Sequence, residues 1–157
     1  MPDMLVKLID LPPLEPEISA CSSLGVLIRR PLPHEASRVR QFVLDTFGPH
    51  WADEIMPAFS AKPVTLFLAI RDGEIVGFGA YECTCRAFFG PTGVTESERG
   101  KGIGRALLIA CLWGLREMGY AYGIIGGAGP EDFYAKAVGA VTIPGSWPGI
   151  YANPLRR

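Results

Sequence analysis

The sequence predicts a mixed α/β (α+β) domain built on a central, mostly antiparallel sheet flanked by helices. Three observations predict it. Residues 64–94 hold three runs rich in β-branched and aromatic side chains, the first two joined at Asp72-Gly73, a dipeptide that favours a two-residue hairpin turn. A glycine-rich loop then leads into a helical pattern over 102–118 that is apolar on most sides (Ile103, Leu107, Leu108, Cys111, Leu112, Leu115), as in a helix buried against other elements. A continuous apolar run at 121–125 follows. A strand–helix–strand unit in one sheet takes a right-handed crossover between parallel strands.

The elements follow in order. Residues 1–24 read as an N-terminal arm lying on the domain: 6–11 suit a short strand, but Pro12, Pro13 and Pro16 interrupt regular structure. Residues 24–29 suit a strand, with a turn at Pro31 and Pro33. From His34 onward, Val39, Phe42, Val43 and Phe47 recur at helical spacing, and Gly48-Pro49 ends that helix. Residues 51–59 suit a second, short helix limited by Pro57. The hairpin strands are 64–70 and 75–85, and 87–94 is a third strand, bulged at Gly90-Pro91. Gly119 ends the long helix. Pro130 with Glu131 and Asp132 suits the first turn of another helix, which Gly139 closes. One or two short strands fill 141–150, and the 157 residues fit one domain, 1–157.

Composition narrows the function classes. Hydrophobic residues are 48% and charged residues 20%, the balance of a folded chain. Fifteen Lys+Arg against sixteen Asp+Glu give a net charge of -1, so bulk charge favours neither a nucleic acid nor a membrane surface as partner. No apolar run reaches the ~18 residues of a membrane span. The acidic start at Asp3, and Asp10 within the first apolar run, are unlike a secretory signal; a cytoplasmic location is expected. Cys21, Cys83, Cys85 and Cys111 lack a zinc spacing and are expected to be buried reduced thiols with no metal. On a strand, Cys83 and Cys85 would share one face.

The chemistry concentrates in Arg99-Gly100-Lys101-Gly102-Ile103-Gly104-Arg105, between a strand and the buried helix. Alternate glycines let backbone N–H groups approach a ligand. The helix start offers unpaired N–H groups and a positive dipole end. Three basic residues there are unfavourable for the dipole, and a bound phosphate or pyrophosphate resolves the conflict; a glycine turn with solvated cations is the plainer reading. A Walker A loop is excluded, because Gly102 stands where Ser or Thr is needed and Thr95 where the first Gly is needed. A dinucleotide fingerprint from Gly100 and Gly102 fails at Arg105.

Arg99, Gly102 and Gly104 form Arg-x-x-Gly-x-Gly, which resembles the acyl-CoA pyrophosphate loop of the GNAT superfamily of N-acetyltransferases. Gly90-Pro91-Thr92-Gly93-Val94 is similar to the family's bulged strand, and residues 132–140, with Tyr134, to its tyrosine-bearing helix. The element order from about 24 to 150 also matches. Residues 124–130 and 148–151 resemble a bacterial subgroup, some of whose members are associated with amino-sugar or cell-wall recycling.

The resemblance implies the GNAT fold and direct acetyl transfer from acetyl-CoA to a primary amine of a small molecule in a ternary complex. Main-chain N–H groups of 100–104 would hold the pyrophosphate, with charge from Arg99, Lys101 and Arg105. Thr92, Gly93 and Val94 would pair with the pantetheine, and an N–H near Val94 would polarise the thioester carbonyl. Strand splaying against 121–126 would admit the thioester. Tyr134 would protonate the leaving thiolate, although a packed helix tyrosine is the plainer reading. Glu82, the only carboxylate within the apolar return strand, is the candidate base; the plainer reading is a solvent-facing residue near the strand end, and a water chain needs no dedicated base. Trp51 and Glu54 fall in the region that lines the acceptor side in the family, and Phe59, Phe88 and Phe89 are lining or core. Residues 147–151 would cover the acceptor site, cover a sheet edge or form a homodimer contact. Gly126-Gly127 stands where many relatives carry a polar residue. A non-catalytic acyl-CoA-binding module and a protein or peptide N-acetyltransferase are the alternatives.

Overall fold

The computed structural model describes residues 1–156. Its seven strands are β1 (Met4–Lys7), β2 (Val26–Arg29), β3 (Leu66–Arg71), β4 (Glu74–Tyr81), β5 (Phe88–Val94), β6 (Tyr122–Ile125) and β7 (Val141–Thr142). They form one sheet in the order β2-β3-β4-β5-β6-β1-β7. Every neighbouring pair is antiparallel except β5 and β6, which are parallel. The helices are α1 (Glu15–Ser23), α2 (Ala36–Phe47), α3 (Pro49–Glu54), α4 (Ile103–Glu117) and α5 (Glu131–Val138). The crossover expected at residues 102–125 is therefore β5–α4–β6.

Two helical layers cover the sheet. On one side α2 and α3 bury Val39, Val43, Ala52 and Ile55 against Leu66, Leu68, Phe78 and Ala80. On the other, α4 buries Leu108, Cys111, Leu112 and Leu115 against Val6, Tyr81, Phe89 and Ile125. Tyr134 and Ala137 of α5 join that cluster. The β3 and β4 side chains alternate between the layers, as the two-residue strand period requires. α4 lies close to the sheet: a Cβ on Gly114 would come within 2.5 Å of the Tyr81 hydroxyl. That hydroxyl is itself pinned by Arg30 Nη1, which donates to it at 2.6 Å.

The hairpin turn sits where Asp72-Gly73 places it, with both residues at positive φ (50° and 78°), the geometry of a type I′ turn. The bulge also sits where Gly90-Pro91 suggests: Gly79 pairs with Thr92 and Tyr81 with Phe89, so two β5 residues face Ala80 alone.

Three expectations are corrected. The prolines do not keep the first 24 residues irregular. Pro16 lies in the first turn of α1, beside Glu15 and Glu17, where a helix needs no N–H from it. Residues 4–7 are a sheet strand, paired to both β6 and β7, and Trp113 Nε1 of α4 donates to the Pro12 carbonyl at 2.8 Å. The return strand stops at Tyr81 rather than 85, because the chain turns at Glu82 (φ 58°) and again at Ala87 (φ 63°). Cys83 and Cys85 lie in that turn, half-buried rather than on a strand face; Cys21 and Cys111 are buried, and all four are free thiols.

Candidate active site

β5 and β6 pair only through Phe88 with Ile124 and Phe89 with Ile125. The last link is the Gly126 N–H donating to the Phe89 carbonyl at 3.3 Å. Beyond it the strands part, because Gly90-Pro91 bulges β5 away and Pro91 has no N–H to offer a ladder. A cavity of about 370 Å³ fills the gap, lined among others by Thr92, Gly93, Val94, Gly104, Ile125 and Tyr134. The Thr95 N–H donates to the Val76 carbonyl of β4 at 2.8 Å. Residues of an antiparallel pair alternate in direction, so Val94 turns its N–H and carbonyl away from β4, toward the gap. Arg99 Nε accordingly donates to that carbonyl, at 3.0 Å.

At one end of this slot α4 begins. Its N-cap is Gly102, left-handed at φ 85°, with no side chain capping the helix. Gly100 is also left-handed, at φ 78°. A Cβ at either glycine would meet nothing within 4 Å. The start of α4 therefore presents bare main-chain donors to open space. Ile103 contributes only its backbone, since its side chain is buried beneath.

The three cations of this loop are not all free, which corrects the electrostatic expectation. Arg105 Nε donates to Glu17 of α1 at 2.9 Å. Lys101 pairs with Glu98 at 3.2 Å, and Glu98 is also held by Arg71 at 3.0 Å. Arg71 and then Lys101 hold the Glu98 carboxyl below its usual range. The fold thus balances its own cations, and the case for a phosphate rests on the open glycine backbone. Arg99 keeps its guanidinium on a neutral carbonyl and pairs with no acid among the described residues.

Tyr134 lines the middle of the slot. It is 7% exposed, packed edge-on against Phe89 and Phe133. Burial alone pushes its phenol up to about 12. No buried side-chain N or O atom among the described residues lacks a partner, and no protein group bonds the Tyr134 hydroxyl; it opens into the slot.

Glu82 is corrected. It is outside β4 and lines neither cavity. Its Oε2 accepts the Ala87 N–H at 2.7 Å and its Oε1 accepts the Tyr120 hydroxyl at 2.7 Å. The carboxylate braces the turn between β4 and β5. Glu82→Ala should therefore lower thermal stability by about 1–2 kcal/mol and leave turnover unchanged. Lost turnover at unchanged melting temperature would return it to the reaction.

A second cavity, of about 690 Å³, continues the slot. Met1, Trp51, Phe89, Gly90, Pro91 and Gly126 are among the residues that line both. Trp51 does double duty, since it also packs on Phe47 and Phe78. Phe88, Trp147 and Tyr151 wall the larger cavity, and His50, Glu54 and Thr84 give it polar edges. Trp147 and Tyr151, from segment 147–151, border it; Phe59 packs in the α2–α3 core. Met1, His50 and Thr84 carried no signal in the sequence; each enters through an element or turn whose placement depends on distant pairing.

Residues 62–137 match the family model of the acetyltransferase (GNAT) domain. Over those 76 of its 157 residues the chain is similar to a GNAT acetyltransferase domain. No curated protein matches it in sequence. Among solved structures it is similar to the GCN5-related glucosamine N-acetyltransferase region of a fungal multi-domain GH3 β-N-acetylglucosaminidase, with TM-score 0.72 and 18% identity over 90% of this chain. It is also similar to a GCN5-related N-acetyltransferase from Sphaerobacter thermophilus, with TM-score 0.67 and 21% identity over 90% of this chain. A GNAT acetyltransferase from Brucella melitensis, solved with acetyl-CoA, gives TM-score 0.54 and 24% identity over 71% of this chain and 80% of its own. At these identities the likeness is one of fold. The chain spans 19% and 48% of the first two structures. The mixed seven-stranded sheet with its parted β5 and β6 is thus the GNAT fold.

Proposed function

We propose that this domain of GNAT fold moves an acetyl group from acetyl-CoA to the primary amine of a small molecule, an amino sugar being one candidate, by direct transfer in a ternary complex. One observation carries the reading: the unpartnered Tyr134 hydroxyl opens into a slot that runs from the bare start of α4 to a second, larger cavity. The parts fit acetyl-CoA. The open backbone at Gly100, Gly102 and Gly104 suits a pyrophosphate, and Arg99, paired with no acid among the described residues, supplies a cation in the same loop. The unpaired edge at Thr92–Val94 suits an amide-bearing chain, and the Val94 N–H is the donor for a thioester oxygen.

The chemistry then divides between the cavities. The amine nitrogen, in the larger one, attacks the thioester carbon where the two meet. The carbon–sulfur bond breaks, the Tyr134 hydroxyl gives its proton to the departing sulfur, and the proton that the attacking nitrogen loses passes to water, from which the phenol is restored. A phenol held well above neutrality stays protonated for that step.

The test is thiol release from acetyl-CoA against primary amines, amino sugars, amino acids, polyamines and peptides, beside calorimetric titration with acetyl-CoA. Turnover with a small amine is expected. Turnover with peptides alone, or tight binding without any turnover, would replace the reading with protein acetylation or a binding module.

A further inference from the structure

The larger cavity has a one-sided polarity. Among the described residues, no Lys or Arg lines it, while His50, Asp53 and Glu54 do. The two carboxylates differ. Asp53 is exposed and paired with Arg40 at 2.6 Å. Glu54 is half-buried and meets no cation among the described residues. Its one side-chain partner is Thr84, whose hydroxyl donates to Oε1. Among the described residues, no protein group donates to Oε2. Around it stand flat apolar walls from Trp51, Phe88, Trp147 and Tyr151. Burial first, and then the Glu54 and Asp3 carboxylates, raise the Tyr151 phenol, so the negative charge is felt across the cavity.

A half-buried carboxylate with one neutral partner gains most from a cation. Aromatic faces accept either a cation or the flat face of a ring. An anion on the ligand would find no Lys or Arg among the described residues that line the cavity and would face Glu54. We propose that the acceptor arrives as a primary ammonium carried on an uncharged, ring-bearing body, and that Glu54, oriented by Thr84, receives that ammonium, which releases one proton to water before its nitrogen attacks. Unphosphorylated amino sugars and arylalkylamines share this chemistry; phosphosugar amines and free amino acids lack it. The inference rests on the acetyl transfer proposed above and adds the acceptor's charge.

The experiment uses pairs of amines that differ by one anion, each at saturating acetyl-CoA: glucosamine against glucosamine 6-phosphate, and phenylalanine methyl ester against phenylalanine. The uncharged body is expected to win by about tenfold or more in kcat/KM in the pair that reacts, and which pair reacts tells sugar from aryl acceptor. Glu54→Gln should raise the amine KM by about tenfold or more, with acetyl-CoA affinity unchanged. The hydroxyl isostere of the reacting amine (glucose or a phenylalanine-like alcohol), used as a competitive inhibitor, should bind both proteins alike. Thr84→Val should shift the KM in the same direction by less. A preference for the anionic member, or equal weakening of amine and alcohol by Glu54→Gln, overturns the proposal. If nothing turns over, calorimetry of the same amines on the CoA-saturated protein decides. Amine binding that Glu54→Gln removes upholds the acceptor site and defeats acetyl transfer; no amine binding defeats the site itself.

Discussion

Gly102→Val is expected to lower acetyl-CoA affinity by about 100-fold or more, roughly 2.7 kcal/mol, while leaving a folded domain. Gly102 is left-handed at φ 85° and forms the N-cap of α4. A Cβ there meets no atom within 4 Å, so the substitution does not clash with the protein. Its cost to folding is backbone strain, about 1–2 kcal/mol for an L-residue in this region. The two effects separate by size and by assay. Thermal unfolding reads the strain, and calorimetric titration with acetyl-CoA reads the branched side chain now standing over the main-chain donors. Gly102→Ala should show similar strain and a smaller loss of affinity. Unchanged affinity in the valine variant would mean that the phosphates sit elsewhere; Gly126, Gly127 and Gly129, which line the slot, lead into the start of α5, whose first turn carries Glu131 and Asp132.

Much of this frame is local in origin and was therefore readable in the sequence. Asp72-Gly73 sets its own hairpin. Gly90-Pro91 makes its own bulge. The apolar face of α4 announces its burial. What was not readable depends on partners far along the chain. Met4–Lys7 becomes a strand only because β6 and β7 lie on either side of it. Pro16 was read as a breaker, although Glu15-Pro16-Glu17 is also how a helix begins. That misreading hid α1, and with it Glu17, whose hold on Arg105 spans 88 positions. Glu82 was misplaced for the opposite reason. Its neighbours look like a strand, but a positive φ at a non-glycine residue leaves no mark in the sequence. Glu54 shows the same limit: its helix was legible, while its bond to Thr84 required β4 and β5 to be folded first.

Tyr134→Phe is expected to lower kcat by about 100-fold or more, the usual contribution of a positioned general acid, with acetyl-CoA affinity unchanged. The variant is a clean one for a structural reason. The hydroxyl bonds no protein group, so removing it orphans nothing. The ring's packing on Phe89 and Phe133 stays as it is, and the melting temperature should hold. The pH profile gives a second, independent reading. Burial disfavours the phenolate, so the folded pKa is raised, to about 12. The acid form therefore persists as pH rises, and Tyr134 should impose no alkaline fall in kcat below about pH 10, the ordinary phenol value. A fall in kcat near pH 8 that disappears in Tyr134→Phe would show that the phenol titrates far below its buried value in the working complex. Equal losses of turnover and of acetyl-CoA binding would remove Tyr134 from the acid role and leave it as a wall of the slot. Loss of turnover alone, at constant affinity and stability, leaves proton delivery to the departing sulfur as the step that the hydroxyl serves.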